Sequence, residues 1–252
     1  MKLNILLMAT LLFTVIACAQ QKHKTHFPVG LYTKPNTTIY GLSVGVGSNT
    51  YQNSDSVSVR SNGIRIEPIS QALLIATLIF GPDQVNYPND PADFAAFNKK
   101  FPVEIINGLN ISCGTNTFAN VNGITVSGIT QSLKNTNGLS VGGLGNSSFR
   151  NNGIQIAGAG TSAIYSNGII ISGLNTTVYK GNGLQVGGFN QYVHFTGVQA
   201  GIYNDIENKS ESFTGLQIGL FNRTKKLKGI QIGLININEK RILPFINWNF
   251  KD

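Results

Sequence analysis

Charge is scarce in this 252-residue chain, in which Asp, Glu, Lys and Arg together make up 12% of the residues. Acid–base catalysis needs titratable groups held close together, and the chain offers 11 carboxylates and three histidines. His23 and His26 stand near the N-terminus and His194 stands between two repeats, so no catalytic constellation is visible. We expect no enzymatic activity, no cofactor and no metal site. A carbohydrate-active β-solenoid enzyme is kept as a weaker alternative.

Cysteine is almost absent, with two residues in the whole chain. Cys18 belongs to the N-terminal export segment described next, which leaves Cys113 without an intramolecular partner. An exported protein with this composition has no disulfide to stabilise it and depends on burial and hydrogen bonding. We predict Cys113 to be a small buried residue rather than a reactive thiol.

Long hydrophobic runs are also missing, and the run from Ile5 to Ile16 is shorter than the ~20 residues of a membrane-spanning helix. A positive start, this run and the small residues up to Ala19 form the layout of a secretory signal. The segment Val15–Cys18 resembles the bacterial lipobox, which would make Cys18 a lipidated first residue; cleavage after Ala19 is the alternative. We expect export and a lipid anchor at the outer membrane or cell surface of a Gram-negative bacterium, with the periplasmic face as an alternative.

Glycine is abundant, with 29 residues, and its spacing is regular. An Asn-Gly pair or a related pair followed by alternating apolar residues recurs at fifteen-residue intervals and then drifts slightly: Gly108, Gly123, Gly138, Gly153, Gly168, Gly183, Gly197, Gly215 and Gly229. A fixed short period is typical of stacked arrays, in which each unit packs only against its neighbours. Positive φ at a corner would explain the glycine.

The residues after each glycine alternate between apolar and polar. Counting from the glycine, positions one and three are aliphatic, as in Ile154 and Ile156, and position two is polar, as in Gln155. Strand alternation places these two sets on opposite faces. We predict inward Leu, Ile and Val ladders, outward Gln, Ser and Thr ladders, and close backbone approach at the small fourth position.

Each repeat also carries one or two apolar residues in the polar stretch between the strands. They are Phe118, Leu133, Phe149, Ile164, Val178, Val193, Phe213 and Leu227. We predict that they form a second, shorter wall of the same coil. The fold class that follows is all-β, a repeat-built β-solenoid with about 15 residues per repeat and a partly helical insertion.

An antiparallel β-meander or a small outer-membrane β-barrel is the alternative fold, because ten-residue strands with short turns could share this period. The end of the chain, Ile246-x-Trp248-x-Phe250, has the alternation of a terminal barrel strand. The turns of an up-and-down array would alternate between two kinds and so repeat every two strands. Here every unit from Gly108 to Gly183 has the same turn residues at the same spacing. The sequence therefore favours the solenoid.

The chain divides into six parts on this interpretation. They are a signal peptide at 1–19, an N-terminal tether at 20–39, degenerate repeats at 40–66, an insertion with short helices at 67–106, the repeat array at 107–240 and a C-terminal capping segment at 241–252. The helix prediction depends on Asp90-Pro91, an N-cap followed by proline at the first helical position.

The formal net charge is +8, and one inter-repeat turn concentrates part of it in Arg223, Lys225, Lys226 and Lys228. Such a cluster is either simply solvated or a contact for anionic lipid or polysaccharide. We predict no nucleic-acid partner, because the chain carries an export signal and no matching aromatic and basic surface.

Two segments, Thr214–Asn222 and Lys228–Asn236, are closed by a C-terminal run from Leu243 to Phe250. Together they resemble the bacterial surface-repeat proteins first named from leptospires, which have versions in Bacteroidetes with similar C-termini. The resemblance covers roughly 108–250 and implies an exported, envelope-associated repeat protein without an assigned activity; it transfers no functional residues.

These observations lead to a functional hypothesis. We expect a non-enzymatic cell-envelope protein that is held at the outer membrane by a lipid anchor and serves as a scaffold for adhesion or envelope interactions. Envelope polysaccharide or protein would be its partner. A small outer-membrane β-barrel protein is the alternative.

Overall fold

A computed structural model describes residues 23–32, 36–46, 58–69, 104–116, 119–205 and 210–250. These residues form strands and turns and contain no helix. The strands are β1 Lys24–His26, β2 Val29–Leu31, β3 Thr37–Val44, β4 Val59–Glu67, β5 Glu104–Ser112, β6 Thr115–Asn116, β7 Ala119–Ser127, β8 Thr130–Gly142, β9 Gly145–Ala157, β10 Gly160–Ser172, β11 Asn175–Val186, β12 Phe189–Ala200, β13 Tyr203–Asn204, β14 Ser212–Ile218, β15 Phe221–Arg223, β16 Lys226–Asn238 and β17 Arg241–Asn249.

The strands stack as a parallel β-solenoid, as predicted. Each strand pairs in parallel with its equivalent one repeat later, so that Gly153 lies opposite Gly168 and Gly168 opposite Gly183. Among the described strands, β17 is the exception, because it folds back antiparallel onto β16 and covers the last coil. The antiparallel meander and barrel alternative is therefore wrong.

Among the described residues, one glycine with positive φ marks the same corner of each coil from Gly41 to Gly229, eleven in all. Gly168 has φ 143°, and a Cβ built on it would lie 2.1 Å from the carbonyl oxygen of Gly153, the corner glycine one coil earlier. Each corner glycine from Gly63 onward meets its predecessor in the same way. The corner therefore excludes every side chain both by conformation and by space.

Each regular coil has three sides. In the coil that begins at Gly153, the first side runs to Ala157, a turn follows at 158–159, the second side runs through 160–163, and the third side leads to the next corner. Ile164 forms the bend between the second and third sides, and the ladder pairing skips it. We call the outward residues of the first side and its following turn the apolar wall, and the outward residues of the third side the polar wall.

The inward and outward faces of the first side are the reverse of the prediction. Gln155, Gln185 and Gln217 are completely buried, whereas Ile154 and Ile218 are 38% and 42% exposed. The predicted inward aliphatic ladders are therefore outward, and the predicted outward polar ladders line the interior.

Stacked amides make this polar interior stable. Gln199 Nε2 donates to Gln185 Oε1 at 3.0 Å, Gln217 Nε2 donates to Gln199 Oε1 at 2.7 Å, and Gln231 Nε2 donates to Gln217 Oε1 at 2.7 Å. Asn247 of β17 ends the ladder by donating to Gln231 Oε1 at 3.1 Å. A buried amide is costly only when it lacks partners, and identical side chains at a coil-to-coil spacing supply partners continuously, as in cross-β Gln and Asn ladders.

A second buried ladder consists of asparagines at the start of the second side. Asn190 donates to Asn204 at 2.8 Å, Asn204 to Asn222 at 2.6 Å, and Asn222 to Asn236 at 2.7 Å. The small residue at position four leaves room for them, because a Cβ on Gly201 would lie 2.4 Å from Asn190 Nδ2. The predicted need for a small fourth residue has this steric cause.

Apolar residues fill the rest of the interior. The predicted second-wall residues Leu133, Phe149, Val178, Phe213 and Leu227 are each at most 3% exposed. Ile164 and Val193 are only partly buried, and Phe118 lies outside the described residues. The ring centroids of Phe213 lie 5.6 Å from Tyr192 and 6.0 Å from Phe195. The core therefore has an amide strip on one side and an apolar strip on the other.

The N-terminal part continues the same stack. Gly41 lies opposite Gly63, and Gly63 lies opposite Gly108 although 45 residues separate them in sequence. Residues 24–26 and 29–31, assigned to a tether, are strands that pair with β3. The predicted helical segment of the insertion lies outside the described residues. Cys113 is only partly buried, contrary to prediction, and its Sγ lies 2.8 Å from the carbonyl oxygen of Pro68.

The inverted core can be tested with Gln217→Leu. Gln199 Oε1 and Gln231 Nε2 each lose the hydrogen bond that Gln217 makes, and a buried group left without its partner costs about 1–3 kcal/mol. We expect the free energy of unfolding to fall by about 2 kcal/mol or more in a denaturant titration. The matched variant Ile218→Gln, on the exposed neighbour, should change it by less than about 0.5 kcal/mol. If Ile218→Gln lowered the free energy of unfolding more than Gln217→Leu, the aliphatic residues would face inward and the glutamines outward, as the sequence predicted.

Candidate functional site

The apolar wall is an exposed aliphatic surface that runs along the solenoid. In every coil from Gly108 to Gly229, the outward residues at positions one and three are aliphatic. Many are well exposed, including Ile111 at 44%, Ile124 at 45% and Ile232 at 43%. Soluble monomers rarely expose contiguous apolar patches beyond a few hundred Å², and larger ones mark sites of interaction with proteins or membranes.

A ridge of large apolar residues forms the edge of this wall, at the turn after the first side. It consists of Leu144, Leu174, Ile202, Leu220 and Leu234, which are 46–61% exposed. The backbone of the turn is stacked like the strands, since the Leu220 N–H donates to the Ile202 carbonyl at 2.9 Å. The ridge is therefore a fixed edge that projects apolar side chains along the solenoid axis.

The polar wall on the third side has the opposite character. Asn122, Asn137 and Asn152 each donate to the asparagine one coil earlier at 2.8–2.9 Å, beginning at Asn107. Farther along, exposed cations such as Lys180 stand in the neighbouring row. The solenoid is thus amphipathic across its section, with an apolar wall and a polar wall that meet at the glycine corner.

Aromatic and basic residues stand together where the apolar wall ends. Strand β17 extends the wall, because Trp248 pairs with Ile230 and Ile246 pairs with Ile232. Trp248 is 49% exposed, and the Arg241 guanidinium carbon lies 4.9 Å from its ring centroid. Trp is enriched at membrane–water interfaces, and Arg side chains there bury their stems and keep their charged heads in water.

The predicted basic cluster is partly assembled in the structure. Lys225, Lys226 and Lys228 line one groove of about 420 Å³, together with Lys240 from the turn between β16 and β17. Arg223 does not line it; the backbone carbonyl of Arg223 accepts a hydrogen bond from the buried Tyr192 hydroxyl at 3.0 Å. We call this feature the lysine groove.

Carboxylates moderate the charge of the lysine groove. Glu239 lines it, and Glu211 accepts a hydrogen bond from Lys225 Nζ at 2.7 Å, with both side chains 49% exposed. This contact with Lys225 holds the pKa of Glu211 below its usual value. The pair is exposed and contributes little to stability, and lysines still outnumber carboxylates around the groove.

A second charged cluster is buried inside the solenoid. Arg65 occupies the inward slot that glutamine fills elsewhere, and its Nη1 donates to Glu67 Oε2 at 3.0 Å and to Asn110 Oδ1 at 2.8 Å. Its Nε donates to Glu104 Oε1 at 3.2 Å, and its guanidinium carbon lies 4.1 Å from the Tyr32 ring centroid. Within the part of the chain that the structure describes, Arg65 Nη2 and Glu67 Oε1 are buried and have no hydrogen-bond partner.

The electrostatics of this cluster follow from burial. Burial by itself lowers the pKa of Arg65, but the carboxylates of Glu104 and Glu67 raise it overall. Burial raises the pKa of Glu67, against the opposing effect of Arg65. The cluster is enclosed, so its geometry indicates a structural role within the core.

The remaining predicted residues do not assemble into a reactive site. His23 Nε2 lies 2.8 Å from Thr38 Oγ1 in the first coil, and His194 Nδ1 lies 2.9 Å from Ser212 Oγ. Cys18 lies outside the described residues. Among the residues that the structure describes, no three His, Cys, Asp or Glu side chains are grouped to hold a metal ion. The same residues include no helix with the length and hydropathy of a membrane span.

Sequence reasoning missed the apolar wall, Lys240 and the Arg65 cluster. A usable signal existed for the wall: from Asn110 to Gln231 the row at position two contains amides, hydroxyls and one isoleucine, Ile170, but no charged residue. Rows that face water usually include Lys or Glu. Lys240 and the Arg65 cluster depend on how distant segments fold back, which the repeat pattern does not encode.

Comparison of the chain with protein-family models, with curated proteins and with solved structures gave no match.

Proposed function

We propose that this protein is a non-enzymatic envelope scaffold that lies on a lipid bilayer through its apolar wall. The observation that carries the proposal is the row of exposed aliphatic side chains, bordered by the ridge of Leu144, Leu174, Ile202, Leu220 and Leu234. A surface that lies in the headgroup region buries an apolar face and leaves its polar face in water. The cross-section of this solenoid has that division.

The size of the effect is adequate. Burying a fully exposed Leu or Ile contributes about 1.5–3 kcal/mol, so a ridge residue that is half exposed contributes on the order of 1 kcal/mol. Five such residues along the ridge contribute on the order of 5 kcal/mol when they enter the acyl region. A single acyl chain gives only marginal membrane binding. The ridge would therefore act as the second signal beside a lipid on Cys18.

Shape favours a bilayer over a second copy of the chain. The ridge residues are 46–61% exposed and stand on a turn, which is a convex edge, and two convex edges bury little area against each other. Fluid acyl chains can close around such an edge. Trp248 and Arg241 at the end of the wall match the aromatic and basic residues that anchor proteins at the interface.

The export signal, the lipobox-like segment and the resemblance to surface-repeat proteins support the same setting. An exported chain with a lipid at its first residue would lie beside a membrane, with the solenoid axis free to lie along the surface. The eleven coils give the wall a length of about 50 Å at ~4.8 Å per strand. The polar wall would then rise from the glycine corner at the membrane surface, and its rows away from that corner would be open to envelope partners.

The test compares two double variants of the full chain, both carrying Cys18→Ala to remove the acyl chain. Leu174→Glu/Leu220→Glu alters the ridge, and Asn167→Glu/Asn182→Glu adds the same charge to the polar wall. Binding is measured by titration with uncharged phosphatidylcholine vesicles. We expect partitioning to fall at least tenfold for the ridge variant and less than twofold for the control, because only the ridge enters the acyl region.

Thermal melts keep the comparison interpretable. Both pairs of positions are outward, so both variants should melt within a few degrees of the parent. Equal vesicle binding by the two variants would contradict the proposal. Sedimentation as a discrete dimer, lost in the ridge variant and accompanied by no vesicle binding, would assign the wall to a second copy instead.

A further inference from the structure

The lysine groove lies beside the end of the apolar wall. Lys228 immediately precedes the last corner glycine, Gly229, and Ile230 of the apolar wall immediately follows it. In β17, Asn249 pairs with Gly229 and Trp248 pairs with Ile230, so β17 contributes Asn249 to the groove and Trp248 to the wall. One corner therefore joins a cationic recess to an apolar surface.

The chemistry of the groove suits a phosphate. Four lysines line it; Glu239 also lines it and Glu211 pairs with Lys225, so lysines outnumber the nearby carboxylates by four to two. Lysine is a compact, strongly hydrated point charge with three donors, and it binds phosphate in that form. Ser212 and Asn249 also line the groove, but Ser212 Oγ lies 2.9 Å from His194 Nδ1 and Asn249 Nδ2 donates to the Leu227 carbonyl at 2.8 Å, so the lysines are the groups that would hold the phosphate. A volume of about 420 Å³ accommodates a headgroup but not a folded domain.

We propose that the lysine groove binds the phosphate of anionic lipid headgroups and fixes which end of the solenoid is anchored. The inference rests on the proposed function, since it takes the apolar wall to lie in the bilayer. Acyl chains next to Trp248 and Ile230 place their own headgroups at the level of the corner, within reach of Lys226 and Lys228. Lipid charge, rather than apolar burial, then sets the preference among membranes.

The groove variant is Lys226→Gln/Lys228→Gln, and the control is Arg150→Gln/Lys180→Gln. Arg150, Lys180 and Lys226 stand in one row of the ladder, and Lys180 and Arg150 lie three and five strands from Lys226. At ~4.8 Å per strand these separations are about 14 and 24 Å, so the control removes the same charge from a surface far from the groove. All four side chains are exposed.

The measurement is binding of the full chain to phosphatidylcholine vesicles with and without phosphatidylglycerol, at low and high salt. A lysine near an anionic surface strengthens binding about fivefold. We expect the parent to prefer the anionic vesicles by more than about 25-fold at low salt. The groove variant should lose most of that preference, about 25-fold for two lysines, and the control should lose less than threefold.

Three outcomes would overturn the inference. An equal loss in both variants would show a general effect of net charge. If the parent showed no preference for anionic vesicles, anionic lipid would be excluded as the ligand of the groove. The third outcome is that the parent binds inorganic phosphate saturably without vesicles and the groove variant does not. If millimolar phosphate then also abolished the preference for anionic vesicles, free phosphate would be the ligand. Failure of the proposed function has a different signature, because the ridge variant would then bind uncharged vesicles as well as the parent.

Discussion

Gly168→Ala should destabilise the solenoid by about 3–5 kcal/mol, one of the largest effects expected of a single methyl group. Two costs add. Gly168 has φ 143°, a conformation that residues with a Cβ rarely adopt, and the new Cβ would lie 2.1 Å from the Gly153 carbonyl oxygen. That oxygen belongs to the backbone of the neighbouring corner and is held by the strand ladder on both sides.

The control is Gly160→Ala in the same coil. Gly160 does not have a strained φ, and the nearest atom to a Cβ there is the Asn175 carbonyl oxygen at 3.8 Å, an ordinary contact. Alanine should therefore be tolerated and should change the free energy of unfolding by less than about 1 kcal/mol. Urea titration of both variants checks the pair. Similar midpoints would show that the glycine ladder is not required at the corner.

The glycine spacing predicted this corner because the requirement is local. Positive φ and a missing Cβ are properties of one residue, and repeating them at Gly138, Gly153 and Gly168 sets both the period and the register of the stack. The parallel architecture followed from the same regularity. From Gly108 to Gly183, every coil has the same corner residue at the same spacing. An antiparallel array has two kinds of turn and does not require this identity.

The orientation of the first side could not be predicted from alternation, because alternation separates two faces without saying which is inside. Burial preference alone points Ile154 inward and Gln155 outward. Stacking reverses the order, since Gln185, Gln199 and Gln217 bond to one another at every coil and lose little on leaving water. The interior also receives Phe149 and its equivalents from the other sides, so the aliphatic residues of the first side are not needed there.

The lysine groove was predictable only in part. Lys225, Lys226 and Lys228 are close in sequence and stay close in the fold. Lys240 joins them because the chain reverses direction in a short turn before β17. The sequence of the capping segment did not predict this reversal. Arg223 belongs to a different strand, β15, and its position beyond a bend takes it away from the groove.

Arg65 departs from the repeat pattern because it places a charge in the interior slot that holds an uncharged residue, most often glutamine, in later coils. Its two carboxylate partners come from both ends of the insertion, Glu67 where β4 ends and Glu104 where β5 begins. A buried guanidinium is tolerated here because it bonds to both of them and to Asn110. The cluster therefore ties the two edges of the insertion to the core.

Arg65→Met should accordingly cost about 3–5 kcal/mol at neutral pH, because it leaves the fully buried Glu67 carboxylate without its counter-charge. Burial already raises the pKa of Glu67, and removing Arg65 removes the main influence that lowers it. A carboxyl whose folded pKa is above its unfolded value stabilises the fold below the unfolded pKa, and that contribution is lost as pH rises through the folded pKa. The deficit of the variant should therefore shrink as the pH is lowered from 8 to 5.

The double variant Arg65→Met/Glu67→Gln separates charge from packing. The double variant lacks the arginine side chain, as the single variant does, but it also lacks the ionisable carboxyl. Its free energy of unfolding at pH 8 should therefore be higher than that of the single variant. The pH dependence that distinguishes the single variant from the parent should disappear. Thermal melts of the parent and both variants across this pH range provide the measurement. A single variant with a pH-independent deficit equal to that of the double variant would mean that Glu67 is not the group left uncompensated. The insertion would then be held by packing around Tyr32, whose ring lies 4.1 Å from the Arg65 guanidinium carbon.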